Sequence, residues 1–246
     1  MGGERKLLDE AMPAESKGRL QETLARLLPY LTTGEFKIVG ALAIRHHLLA
    51  AGRDYPYPID EFDLIAKSER AISQDITKDF LVYHHHYAPD NHNIFYLALV
   101  DPQTKVKVDI FTEIVLEGLL KVDFNGEEIE IASLEDQLVK TSLDIQRISE
   151  KSKIKPKELE NAKQMAEIAN MDEAQEIWKQ RKRTEMPETI TEAISQVERI
   201  AQEHPEYLSE EPHRKPEPYK CSECVDTPDF PLAPMEKIYQ ILGYVE

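Results

Sequence analysis

Apolar residues at Leu20, Leu24, Leu27, Leu28 and Leu31 recur at helical spacing, so the pattern predicts an amphipathic helix over about 15–32, ended by Thr32-Thr33-Gly34. A short apolar run, Phe36-Lys37-Ile38-Val39, follows and stops at Gly40, which reads as a strand over 36–40. Residues 41–51 are apolar on most positions and read as a helix that carries Arg45, His46 and His47. A Pro-rich turn leads to Glu61-Phe62-Asp63-Leu64 and a predicted strand over 61–66. On a strand Phe62 and Leu64 face inward, and Glu61 and Asp63 share the other face. Ser68 can cap a helix over about 69–79. Two apolar segments, 80–87 and 93–100, read as strands on either side of an Ala-Pro-Asp-Asn-His turn, and Asp101-Pro102-Gln103-Thr104 forms a tight turn. The next segment, 105–111, alternates with period two: Lys105, Lys107 and Asp109 on one face, Val106, Val108 and Ile110 on the other.

Asn125-Gly126, between two alternating runs, is the signature of a type I′ hairpin. Ser133-Leu134-Glu135-Asp136 then opens a helix with a Ser cap and an acid at the third position, and Lys140 falls one turn further on. Beyond residue 150 the pattern is helical over about 156–170, 172–184 and 188–203. From His204 to Pro234 the chain holds seven prolines and reads as an extended tail. The last segment predicts a short helix that docks Ile238, Ile241 and Leu242. The divisions expected are 1–150 as a core, 151–203 as a helical C-terminal region, and 204–246 as a Pro/Glu-rich tail with a terminal helix.

The formal net charge of −16 divides into −10 over residues 1–150 and −6 over the rest, so neither part is an extended platform for nucleic acid. The basic run at 151–157 reads as a solvated helix start. No apolar stretch approaches the roughly 18 residues of a membrane span. The N-terminal segment reads as no signal peptide, and Lys6 breaks the myristoylation pattern. With only two cysteines, a reducing, cytoplasmic compartment is expected.

Two acids on one strand face repel each other unless a cation sits between them. Glu61 and Asp63 are therefore either a solvated edge or a divalent-metal site, and Asp109 adds a third acid on the polar face of another strand. His84 and His86 share a face of their strand and are expected to line a cleft as surface residues, with a metal role the weaker reading; His46 and His47 read as packing or surface residues. Cys221 and Cys224 supply half of a zinc site, with His204 and His213 the nearest further ligands; a partner chain or a redox disulfide are the other readings.

The order of parts, Ile38-Val39-Gly40-Ala41, then Glu61-Phe62-Asp63-Leu64, then Val108-Asp109-Ile110, resembles the nucleotidyltransferase superfamily of the polymerase-β type. Residues 129–147, with Asp136 and Lys140, look like the hairpin-into-helix stretch of its AbiEii-like branch. The resemblance spans about 34–150, with a looser extension to about 184. It implies an α+β fold, a mixed β-sheet flanked by helices, and Mg²⁺-dependent transfer of an NMP from an NTP to an acceptor hydroxyl of protein, RNA or a small molecule. Glu61, Asp63 and Asp109 would hold two Mg²⁺ ions, with Asp109 also a base; Gly40 and Ala41 would admit phosphates at a helix N-terminus, and Lys140 would add a cation. The family pattern has Gly or Ser where Ala41 stands, commonly Asp where Glu61 stands, and a shorter turn before the acids. Those departures also fit a degenerate fold that binds a nucleotide or a partner protein, a second copy of the chain among them.

Overall fold

The computed structural model describes residues 7–88, 94–112, 118–149, 153–209 and 230–244. The first helix, α1 (Lys17–Leu27), buries Leu20, Leu24 and Leu27 on one stripe. It stops short of the predicted end and tightens into a 3₁₀ turn, Leu28–Tyr30, because Pro29 brings no N–H to continue the ladder. The strand β1 (Phe36–Val39), the helix α2 (Gly40–Ala50) and the strand β2 (Glu61–Ala66) lie within a residue of their expected bounds.

The helix expected over 69–79 does not form. Two 3₁₀ turns, Glu69–Ala71 and Gln74–Lys78, stand there instead, and Ser68 makes no capping bond. Between them Ile72 is extended and buried, pairing with Leu31 as an isolated bridge, so a tertiary contact overrides the local helix signal.

Five further strands, β3 (Leu81–Ala88), β4 (Ile94–Val100), β5 (Lys107–Thr112), β6 (Leu119–Phe124) and β7 (Glu127–Ala132), complete one seven-stranded sheet in the order β3-β4-β5-β2-β1-β7-β6. The β2/β5 and β1/β7 pairs are parallel and the rest antiparallel. The strand β5 starts two residues later than its alternation suggests, because Lys105 is left-handed at φ 64° and closes the preceding turn. Buried Asp101 organises that turn: it accepts from the Gln103 and Thr104 amides and from Arg26, 2.9 Å away on α1. Asn125 and Gly126 are both left-handed, at φ 53° and 86°, as a type I′ turn requires.

The long helix α3 (Leu134–Ser149) starts where Ser133 Oγ accepts the Asp136 amide. Helices α4 (Pro156–Ala166), α5 (Met171–Arg181) and α6 (Ile190–Glu203) pack against it. Trp178 is fully buried among them, its ring N–H donated to the Pro187 carbonyl at 3.1 Å. The result is an α+β protein: a mixed sheet flanked by helices.

Part of the segment read as an extended tail is tied down. Pro205–Tyr207 forms a 3₁₀ turn, and Leu208 pairs with Ile154 just before α4. Further on, Leu232 pairs with Val82 at the edge strand β3, the Ala233 amide donates to Val82 at 2.7 Å, and Phe230 is buried against His85 and Phe95. The terminal helix α7 (Met235–Leu242) buries Ile238, with Ile241 and Leu242 half-buried, as its pattern suggests. Among the described residues no helix is long and apolar enough to cross a membrane.

Candidate functional site

The strand β2 lies in the middle of the sheet, so the reading of Glu61 and Asp63 as an edge-strand device fails. Asp63 is aligned with Asp109 across the parallel β2/β5 pair, and Glu61 with Lys107 one step away on the same face. The opposite faces of both strands are apolar: Phe62, Leu64, Val108 and Ile110 are fully buried. Two segments more than forty residues apart thus bring two carboxylates side by side. The period-two alternation of each strand fixes the face, and the parallel register fixes the alignment.

Gly40 sits against this pair. Its φ of 69° is left-handed, and a Cβ there would lie 2.8 Å from Asp63 Cγ, inside the carboxyl group. Glycine therefore lets the chain turn from β1 into α2 while leaving room for Asp63. The Gly40 amide is donated to Gln137 Oε1 at 3.0 Å, and buried Gln137 in turn donates to Thr141. Contacts from the start of α2 to an anion would fall to the amides that follow, with Ala41 at the cleft wall.

The electrostatics are those of buried acids crowded together and only partly offset by Lys107 and Lys140. Burial, then the Glu61 and Asp109 charges, push the Asp63 carboxyl up to about 8, and Lys140 pulls it partly back. Burial and Glu61 push Asp109 up to about 6, opposed by the hydroxyl of Tyr96, by Lys107 and by Tyr83, whose hydroxyl is 3.5 Å away. Burial first, and then Asp109, raises both tyrosines.

Glu61 is turned to Lys107, at 2.9 Å. Burial works against the lysine's charge, but Glu61 beside it outweighs that and raises its pKa. Among the described residues, no three His, Cys, Asp or Glu side chains converge closely enough to hold a metal ion. Asp63 and Asp109 suit a hard cation by chemistry and by their raised pKa values. Glu61 would have to leave Lys107 to join them.

Gly40, Ala41, Glu61 and Asp63 line a cleft of about 390 Å³ between α2, α3 and α4. Lys140 lines it too, 2.8 Å from Asp144 and over the Phe111 ring. Arg147, Lys155 and Lys157 add three further cations. Against them stand Glu61, Asp63, Asp144 and Glu158, so the cleft is charge-balanced in a protein of net charge −16. The 151–157 run does open a helix at Pro156, but Lys155 and Lys157 line the cleft rather than only facing solvent. Sequence reasoning also missed Gln137 and Asn161, which it could have flagged only as polar residues inside otherwise apolar stripes, and Tyr55, which stands in the Pro-rich turn with no periodic signal.

Other expected residues lie elsewhere. Asp136 is fully buried and pairs with Arg181 of α5 at 2.6 Å, a link between helices rather than part of the cleft. His84 packs on Tyr96, and His85 lies between Phe95 and Phe230. Burial and neighbouring His86 lower the pKa of His84. His46 is buried edge-on to His47, whose Nε2 is 2.8 Å from the Ala132 carbonyl oxygen, as packing residues should be. His204 pairs with Glu206 and stacks on Tyr207. Cys221, Cys224 and His213 lie outside the described residues.

No family model matches this chain, and no curated protein matches it. Among solved structures, it is similar to an antigenic nucleotidyltransferase-like protein from Paracoccidioides brasiliensis, with a TM-score of 0.40 and 14% identity over 79% of this chain and 91% of that one. That is a loose likeness, and the site has to be read from its own residues.

Proposed function

We propose that the cleft binds a nucleoside triphosphate with Mg²⁺ and transfers its nucleotidyl group to an acceptor hydroxyl. The observation that carries this reading is the alignment of Asp63 with Asp109, both with raised pKa values, where Asp63 lines a cleft whose rim carries four cations. Acids pressed together in this way favour a hard divalent cation, and the rim suits a polyphosphate. Asp63 and Asp109 would hold Mg²⁺, joined by Glu61 once it parts from Lys107; the ion would supply charge neutralisation on the phosphates.

The chain's own groups would do the rest. Lys140, Arg147, Lys155 and Lys157 would bind the phosphate oxygens, and the start of α2 would add amides and the positive end of its dipole. An Asp109 oxygen would take the proton of the acceptor hydroxyl as its oxygen bonds to the α-phosphorus and pyrophosphate departs. Within this reading Lys140 on α3 would be the lysine that resemblance to the AbiEii-like branch implies, while Asp136 pairs with Arg181.

The Glu61–Lys107 pair favours a second reading, a degenerate fold that binds a nucleotide without metal, with the lysine as its fixed cation. Titration of NTP with Mg²⁺ and with EDTA separates the two. Binding that needs Mg²⁺ and is lost in Asp63→Ala is expected from the first; equal binding in EDTA and in Asp63→Ala supports the second. With binding established, passage of an α-phosphate label to an acceptor tests transfer itself.

A further inference from the structure

Deep in the same cleft are two buried side chains whose polar atoms have no partner. Asn161, on α4, is 1% exposed, and both its amide oxygen and its amide nitrogen lack a hydrogen bond. Tyr55, from the turn before β2, is also 1% exposed, and its hydroxyl lacks one too. The two groups are near neighbours: Asn161 is a weak side-chain partner of the phenol and eases its ionisation, and neither group has a partner of full hydrogen-bonding geometry. Burial of such groups is unfavourable unless something satisfies them.

The surroundings hold both in place. Arg45 donates to the Tyr55 carbonyl at 2.6 Å, and the Asp54 carboxylate accepts the Tyr55 amide at 2.8 Å, so the backbone at Tyr55 is pinned while its hydroxyl is left over. Asn161 is flanked on α4 by buried Leu159, Ala162 and Met165, which fix the helix face that carries it. The site is near the acids: the charge of Asp63 is felt at the Tyr55 hydroxyl, and both residues line the cleft that holds Gly40 and Asp63.

We infer that Asn161, with Tyr55, reads the base of the bound nucleotide. A planar amide presents one donor beside one acceptor, the complement of a nucleobase edge that offers an acceptor beside a donor. The neighbouring hydroxyl adds a third group that can donate or accept. Phosphate offers acceptors alone and would leave the amide oxygen unsatisfied; an apolar ligand would leave all three atoms so. The inference rests on the nucleotide reading above and adds to it the part of the nucleotide that the acids and lysines do not touch.

The test compares the four NTPs with ribose 5-triphosphate, which lacks the base, and with tripolyphosphate, each with Mg²⁺, by calorimetric titration. For the wild-type protein at least one NTP should bind about tenfold or more tighter than ribose 5-triphosphate. Asn161→Leu should erase that gap and leave tripolyphosphate binding unchanged; Tyr55→Phe, which removes one atom, should narrow it. Both variants should melt at or above the wild-type temperature, since each removes unpaired buried atoms.

If the gap persists in Asn161→Leu, or if both variants lose several degrees of melting temperature, the two residues have a structural role and base reading is overturned. If NTPs and ribose 5-triphosphate bind the wild type alike, base reading fails while the phosphate site stands. If none of the triphosphates binds, the nucleotide reading fails and this inference with it.

Discussion

The carboxyl group of Asp63 occupies the space that a side chain at Gly40 would need. The left-handed backbone of Gly40 and the placement of an acid on β2 are thus one feature, built from two segments. Gly40→Ala should destabilise the protein by about 1–3 kcal/mol, part from the left-handed φ and part from the overlap. Urea denaturation of Gly40→Ala, Asp63→Ala and the double variant checks this. The double variant should be less destabilised than the sum of the singles, because truncating Asp63 removes the overlap and leaves only the backbone strain. Strict additivity would mean that the two residues do not touch.

The raised pKa values give a stability that depends on pH in a definite direction. Asp63 near 8 and Asp109 near 6 both lie above the value of about 4 for an unfolded Asp, so between those limits the folded protein holds protons that the unfolded chain has released. Stability without metal is then greatest at low pH as far as these groups are concerned, falls as pH rises from about 4, and levels off above about 8. Asp63→Asn removes most of that slope. Denaturation midpoints in EDTA at pH 5, 7 and 9 should fall for the wild type relative to Asp63→Asn; parallel midpoints would deny the crowding of the acids. If Mg²⁺ binds these acids as proposed, it must displace those protons, so its affinity should rise from pH 6 to pH 8.

What the chain reveals before folding is the period of each segment. The alternation in 105–111 and the spacing in 61–66 give the polar face of both strands, and the strong turn signals at 101–104 and 125–126 both mark turns, the first extended by Lys105. Which strand lies beside which is not written locally: β2 and β5 are separated by two strands in the chain, and only tertiary packing sets Asp63 level with Asp109. For the same reason the alternation gives the face of Lys107 but not its partner, Glu61. The weak helix signal at 69–79 lost to Ile72, which gains more by burial beside Leu31 than by completing a turn. Asn161 and Lys157 belong to one short helix, and their place in the cleft wall appears only once α4 docks there.

Asp136 and Arg181 show how a residue placed by motif can serve packing alone. The acid is fully buried and the guanidinium nearly so, at 2.6 Å, joining α3 to α5. Removing one partner strands the other: Arg181→Leu should cost about 3–5 kcal/mol, and Arg181→Leu with Asp136→Leu much less. Thermal melts of both variants check this. Nucleotide binding by the folded Arg181→Leu protein should be unchanged, since neither residue lines the cleft; a loss of binding at full folding would move the pair into the site.

The Glu61–Lys107 pair bears directly on the proposed cation site. In the present arrangement the lysine offsets one acid and leaves Asp63 and Asp109 facing each other. Lys107→Met takes that charge away and leaves three acids on one face, so the protein should lose about 1–3 kcal/mol of stability in EDTA. Most of that should return in millimolar Mg²⁺, because Glu61 is then free to complete the ligand set and the ion binds a few-fold tighter. Melting curves with and without Mg²⁺ give both numbers. If the stability of Lys107→Met is indifferent to Mg²⁺ while NTP binding disappears, the lysine itself is the cation of the site, and the protein belongs with the metal-independent binders.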